Sequence, residues 1–399
     1  MKKLLLLGGL RYLIPVIQAA HEQGYYVITA DYLPDGIAHK YSDEYVNVSV
    51  IDKDAVLAEA GKIGIDGVMS FACDPGVVTA AYVQKELNLP MFGPYESVEI
   101  LQNKDKFRMF LREHGFAVPK AKGYESVDAV LADENDFDYP VIIKPTDSAG
   151  SKGVSRVDAK GELKPAAENA FFNSLKKRVI VEDFIETDGH ASDSDCFSIG
   201  GNLHFASFST QYFDRTASNP YTPSAYGWPS SFSRSQEKCL KNEIQRLIRL
   251  LKMETAVYNV ETRIGKDGRA YIMEVSPRGG GNRLSEMIRC AYGVDLITAS
   301  VRAAVGDAVS LEHPVRNGYW AEIILHGNKN GKFAGLSMSD GFEQKYVRQI
   351  DLWVSKGNGI ESFNGANNAI GTMVLQFDTN EELRNVLENQ NAYFKIEVE

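Results

Sequence analysis

The chain has 399 residues, 44% apolar and 24% charged, which is room for two or three domains with a sizeable core. A net charge of -10 and a pI near 5.4 argue against a general nucleic-acid or anionic-membrane surface and in favour of small-molecule substrates. Four cysteines, Cys73, Cys196, Cys239 and Cys290, lie far apart with no Cys-x-x-Cys pair, which points to neither a zinc site nor a disulfide framework and fits a reduced cytoplasm.

The first residues, Met1-Lys2-Lys3 followed by leucines 4–7, imitate a secretory signal, but Gly8-Gly9 ends the apolar run early and Arg11 follows, so residues 4–7 read as a buried strand. No other stretch is long and apolar enough to span a membrane. A helical pattern through Ile14, Ile17 and Ala20 leads to a second strand at 25–31, ending in Asp31; strand, glycine turn, helix and strand make a βαβ unit. A strand at 45–50, a helix at 52–63 and a strand at 67–71 extend it, so residues 1–95 are expected to form a Rossmann-like α/β domain. Asp31 lies at the distance a nicotinamide-binding domain requires, yet Leu10-Arg11-Tyr12 follows Gly8-Gly9 and the third glycine is missing.

A charged helix over 94–118 carries Lys104 and Lys106. A strand at 139–145 ends in Lys144, and the loop Thr146-Asp147-Ser148-Ala149-Gly150-Ser151-Lys152-Gly153 follows. Small residues there let backbone N–H groups approach phosphate oxygens, with Lys144 and Lys152 supplying charge; a hairpin turn is the alternative, and the Walker A pattern is absent. The strand at 178–186 breaks into an acidic linker containing Glu182, Asp183, Ile185 and Glu186, an edge able to meet an adenine while a carboxylate takes a ribose hydroxyl. Residues 192–213 alternate as strands, 217–234 are too polar for core and read as a loop, and 241–251 form an amphipathic helix.

Two strands around Asp267-Gly268 then form a hairpin that brings Glu261 and Glu274 side by side. Paired carboxylates repel unless a proton or cation sits between them, and hard oxygen donors suit Mg²⁺; solvated glutamates on a surface hairpin are the alternative. Ser276-Pro277-Arg278-Gly279-Gly280-Gly281-Asn282 adds an arginine fork and a flexible, donor-rich backbone, a seat for a phosphorylated intermediate. Helices at 284–292 and 295–305 follow, then strands at 320–325, 351–354 and 372–377, and a last helix with a capping box at Thr379-Asn380-Glu381-Glu382. The seven histidines are scattered and no Gly-x-Ser-x-Gly elbow occurs, so a hydrolase triad is not indicated.

The order of these parts resembles the ATP-grasp superfamily over nearly the whole chain. It is most similar to the carboxylate–amine ligase branch, with biotin carboxylase, the carbamoyl phosphate synthetase large subunit and bacterial L-amino acid ligases. The resemblance implies an α/β pre-ATP-grasp domain at 1–95, an ATP-grasp domain at 96–305 with a small lid over about 120–190, and a C-terminal α/β lobe at 306–399. It implies ATP and Mg²⁺ (or Mn²⁺) as cofactors and small-molecule carboxylate and amine substrates, with acyl phosphate formation and release of ADP and phosphate. Lys104 and Lys144 would contact the phosphates under a loop of Ser148, Ser151, Lys152 and Gly153. Glu182, with Asp183 and the Ile185 backbone, would meet the adenine, and Glu186 the ribose. Glu261, Glu274 and Ser276 would hold metal, Ser276 standing where relatives usually have asparagine, and Arg278 would face the carboxylate or acyl phosphate. Asp74, Arg283 and residues 217–234 are candidate specificity elements. A homodimer in the cytoplasm, without nucleic acid or membrane partners, completes the expectation, and a purine-pathway ligase of the phosphoribosylglycinamide synthetase type is the alternative.

Overall fold

The computed structural model describes residues 1–147 and 151–399. Its N-terminal sheet is parallel, with Glu44–Asn47, Tyr26–Asp31, Lys3–Leu7 and Gly67–Ser70 side by side in that order. Leu4 and Leu6 pack on the side of helix Ile14–Glu22, Leu5 and Leu7 on the side of helix Lys53–Ile63. A strand buried on both faces needs apolar residues at every position, which is why residues 4–7 read as a continuous run and not as an alternation. The turn at Gly8-Gly9 is covered by the chain itself: the Ala38 N–H donates to the Gly9 carbonyl at 3.2 Å, and His39 is fixed by Thr29 and the Leu33 carbonyl. A dinucleotide would need that space.

A second four-stranded sheet is antiparallel, in the order Asn202–Ala206, Ser192–Ile199, Ala256–Ile264, Ala270–Ser276. Helix Arg234–Leu250 covers one face through Leu240, Ile244, Leu247 and Ile248. This helix starts seven residues before the expected 241 because Ser233 and Gln236 close a capping box, a signal the polar run before it concealed. The capping box expected at Thr379 is present.

A small sheet of Ala121–Tyr124, Val179–Asp183, Val141–Pro145 and Ser155–Val157 packs on helix Leu163–Phe172. The C-terminal sheet has the order Thr210–Phe213, Pro223–Trp228, Tyr319–His326, Ala369–Phe377, Val347–Leu352. Two of its five strands thus come from the stretch before residue 230, and 217–234 is not merely a polar loop. Within it Tyr226 and Trp228 are fully buried, and the run misleads because Pro223 opens the strand and a serine, Ser224, is buried inside it. Helix Pro75–Glu86 gave no periodic signal, since it is buried through Gly76, Val77, Thr79, Ala80, Ala81 and Val83 with little polar face. Among the described residues no helix is long and apolar enough to cross a membrane.

Candidate active site

The hairpin of Ala256–Ile264 and Ala270–Ser276 pairs Glu261 directly with Glu274, so both carboxylates leave the same face. A register shift just after Glu261 bends the strand there. Strand Ser192–Ile199 extends the acidic row, with Asp193 opposite Glu261 and Asp195 opposite Asn259. Alternating Ser192-Asp193-Ser194-Asp195 carried that information in the sequence, because acids two apart on a strand share a face.

Toward the small sheet that carries Lys144, the hairpin is met by cations. Lys104, the first residue of helix Lys104–Glu113, reaches Glu274 at 3.3 Å. One turn on, Arg108 is 1% exposed and donates to Glu182 at 2.9 Å and to the Met273 carbonyl at 2.8 Å, while its Nη2 has no partner. Lys144 closes on the other Glu182 oxygen. Burial alone would push the Glu182 carboxyl up, but the Arg108 and Lys144 charges outweigh it and bring it down to about 2. Burial holds Lys144 below the usual lysine range, with Arg108 and Lys104 adding to that against the pull of Glu182. Glu261 is bound by Arg263 at 2.8 Å and stays in the low carboxylate range: burial opposes ionisation, and Arg263, Lys144 and Arg108 override it. Arg108 was not singled out in the sequence, although it stands four residues after Lys104 on the same helix face.

Glu182, expected at an adenine edge, is sealed between Arg108 and Lys144, and its carboxylate compensates two cations that would otherwise stand unpaired there. Asp183 and Ile185 are half-buried beside it, and Glu186 pairs with Lys266 at 2.7 Å on the surface. Ser148 lies outside the described residues. Ser151, at φ +59°, donates to the Tyr221 carbonyl at 3.0 Å, and Asn219 reaches the Ser151 carbonyl at 3.1 Å and the Asn364 carbonyl at 3.2 Å. Lys152, Gly153, Arg156, Asn219 and Tyr221 line a cleft of about 340 Å³ there. A larger groove of about 1220 Å³, lined by His190, Asp214, His326 and Lys395, includes none of these acids and cations.

At the other end of the hairpin Ser276 is 2% exposed; it accepts from Gln102 at 2.7 Å and donates to Asp74 at 2.8 Å. Through these two bonds Ser276 ties the sheet to the N-terminal domain, with one acceptor lone pair of its hydroxyl left over. Arg278 grips the same Asp74 with two parallel bonds, Nε to Oδ1 at 3.0 Å and Nη2 to Oδ2 at 2.7 Å. Burial opposes ionisation of Asp74, and Arg278, Ser276 and Lys104 hold it below the usual carboxylate range regardless.

Of the glycines after Arg278, which the sequence suggested as a flexible donor loop, Gly279 and Gly280 are tightly packed and Gly281 has room beside it. A Cβ on Gly279 would lie 2.2 Å from the Phe71 ring, and one on Gly280 would lie 2.6 Å from Leu284 and 2.9 Å from Asp195. Close approach of three segments is what requires glycine here. The Gly280 N–H donates to Asp195, which also accepts from Ser285 and Asn259. Burial pushes Asp195 up to about 6, although Ser285, Arg278 and Gly280 pull the other way; burial and the charges of Glu261 and Asp195 push Asp193 up to about 7.

Among the described residues no three His, Cys, Asp or Glu side chains form a ready cation cage. Glu261 and Glu274 nevertheless fit a divalent cation: they are opposed hard donors on one face, each still partly exposed, Glu261 paired with Arg263 and Glu274 with Lys104.

A parallel N-terminal domain, a hairpin with opposed acids and a small sheet bearing lysine above it define the ATP-grasp fold. Residues 137–286 match the family model described as ATP-grasp domain. It is 25% identical over 301 residues to the carbamoyl phosphate synthase large chain of Pseudothermotoga lettingae, covering 74% of this chain and 26% of that one. The chain therefore spans about a quarter of the length of that relative. The fold is similar to that of L-amino acid ligase from Bacillus licheniformis, with a TM-score of 0.84, 21% identity and coverage of 100% of this chain and 99% of that one. It is also similar to the biotin carboxylase domain dimer of Hydrogenobacter thermophilus 2-oxoglutarate carboxylase, solved with MgADP and bicarbonate, with a TM-score of 0.71, 18% identity and coverage of 100% and 91%.

Proposed function

We propose that this protein is an ATP- and Mg²⁺-dependent carboxylate–amine ligase. The observation that carries the reading is the cross-strand pair Glu261 and Glu274, with Lys104, Lys144 and Arg108 gathered at one end and Arg278 on Asp74 at the other. A carboxylate oxygen of the first substrate attacks the γ-phosphorus of ATP, the bond to ADP breaks, and the acyl phosphate so formed is attacked by an amine that expels phosphate. The transfer needs alignment and charge neutralisation more than a protein nucleophile. Lys104, Lys144 and the unpartnered Nη2 of Arg108 supply donors for phosphate oxygens. Arg278, fixed by Asp74, keeps N–H capacity on Nη1 and Nη2 for an oxyanion. Glu261 and Glu274 would hold Mg²⁺, which when bound neutralises phosphate charge. Ser151, Lys152 and Gly153 close the phosphate side, with the half-buried Asp183–Ile185 segment for the base. Four free thiols agree with a reducing cytoplasm, and the dimeric biotin carboxylase neighbour is the model for a homodimer here, to be read by light scattering.

The test is an assay of ADP and phosphate release with MgATP against a panel of carboxylates and amines. Release of both products only when a matched acid and amine are present is expected; AMP with pyrophosphate would overturn the mechanism. Dependence on a phosphoribosyl amine would instead identify a purine-pathway ligase.

A further inference from the structure

Outside the charges used above, one carboxylate stands alone. Glu322 lies in strand Tyr319–His326 at 0% exposure, and neither of its oxygens has a hydrogen-bond partner. Its strand neighbours are Tyr226 and Val374, and the wall around it is apolar, with Trp228, Trp320 and Leu284. Arg283 follows the glycine run at φ +55°; its Nε and Nη2 are held by Glu286 and Gln349, and its Nη1 has no partner. Arg283 attracts the Glu322 charge without forming an ion pair with it, so a buried carboxylate and a guanidinium edge near each other are both left unpaired. Tyr12, from the N-terminal domain, feels both charges and is anchored to Asn282 at 3.1 Å. Tyr226 beside Glu322 donates to Asp193 at 3.3 Å, which connects this carboxylate to the acidic row of the hairpin.

A buried carboxylate without a partner is destabilising, and a fold retains one where something else completes it. A metal is a poor candidate, because a single carboxylate does not make a cation cage and no acidic cluster surrounds it among the described residues. A primary ammonium has the donors that two carboxylate oxygens lack, and an oxygen of the same molecule matches the open N–H of Arg283. We infer that Glu322 and Arg283 form a recognition subsite for a small zwitterion, Glu322 taking its ammonium and Arg283 an anionic oxygen. This rests on the ligase reading, since it assigns an amino-bearing substrate to the end of the cleft away from the phosphates. Burial pushes Glu322 well above the usual carboxylate range in the free protein, so the neutral form predominates until an ammonium arrives and ionises it.

The experiment compares each protein amino acid with its des-amino acid, by calorimetry on the full chain with Mg²⁺ and a non-hydrolysable ATP analogue, and in parallel by ADP release with MgATP. At least one amino acid is expected to bind about 100-fold more tightly than its des-amino partner, and Glu322→Gln to bring that ratio within about 10-fold while affinity for the ATP analogue is unchanged. Glu322→Gln is also expected to raise the urea midpoint of the free protein, since a neutral amide replaces a buried acid; a merely structural carboxylate would lower it. Glu322→Asp, which keeps the charge one methylene back, should retain part of the discrimination. An unchanged ratio in Glu322→Gln, no discrimination by the wild type, or failure of Glu322→Gln to fold overturns the subsite. If ammonium-selective binding depends on Glu322 but no compound releases ADP, the subsite stands and the ligase reading falls; normal ADP release with no role for Glu322 gives the converse.

Discussion

The two ends of the cleft solve opposite electrostatic problems. At the nucleotide end cations outnumber acids: Arg108 and Lys144 share the single buried carboxylate of Glu182, and Lys104 leans on Glu274. At the acceptor end acids outnumber cations: Asp74, Asp193 and Asp195 surround Arg278, and Asp193 and Asp195 are pushed up to about 7 and about 6. The first end is therefore left with positive charge, whereas at the second Asp74 stays ionised beside Arg278 and burial pushes Asp193 and Asp195 toward their neutral forms. On the proposed ligase reading, phosphate belongs where positive charge is left over.

Substitutions at each end are ways to separate these behaviours. The largest effect is expected for Glu274→Ala, with kcat for ADP release falling about 100-fold or more while a fluorescent ATP analogue still binds; unchanged turnover would remove Glu274 from the metal pair. Next, Arg278→Ala leaves the half-buried Asp74 with Ser276 but without its charged partner and should lower stability by about 3 kcal/mol in urea unfolding, together with loss of activity. Retention of stability would mean that the link between the domains at Asp74 is not under strain when cut.

The pH responses should differ in sign. Glu182, with its folded value near 2, stabilises the protein fully above its unfolded value of about 4.3, and that contribution is lost as pH falls toward 2. The stability deficit of Glu182→Gln at neutral pH should therefore shrink on acidification. Asp195 is raised, so its contribution is present below about 4 and lost as pH rises through 6; Asp195→Asn should gain on the wild type over that interval in denaturant midpoint. A parallel loss in both variants on acidification would erase the contrast between the two ends. The smallest effect is expected far from both: Thr379→Ala removes a capping box at about 1 kcal/mol and leaves kcat unaltered.

Legibility followed the same division. Lys144, Glu261 and Glu274 stood out because each sits in a local pattern, a strand end or a hairpin with Asp267-Gly268, whereas Lys104 on its helix was picked out only through the family resemblance; in the structure Lys104 pairs with Glu274, Glu274 lies opposite Glu261, and the Lys144 charge acts on Glu261. Arg108 was masked by the apolar residues on either side of it, Phe107 and Leu111, whose buried face it shares. The acceptor end was harder to read because its members lie far apart in the chain. Arg278 was legible from the glycine run after Glu274 and Asp74 only as a candidate specificity element, whereas Tyr12, Asp193, Tyr226 and Glu322 meet them only through the packing of three sheets, and no spacing announces that meeting. The glycines at 279 and 280 were misread for a related reason: composition cannot distinguish glycine used for mobility from glycine used for tight contact.

The bonds that Ser151 and Asn219 make have a mechanical side. Ser151 donates to the Tyr221 carbonyl and accepts from Asn219, which also reaches Asn364, and four residues past Asn219 begins the strand that carries Tyr226. Moving Ser151 away from this corner means breaking the Ser151–Tyr221 and Asn219–Ser151 bonds, about 1 kcal/mol each. On the proposed ligase reading, any such movement on the phosphate side is mechanically joined through Asn219 to the strand that carries Tyr226.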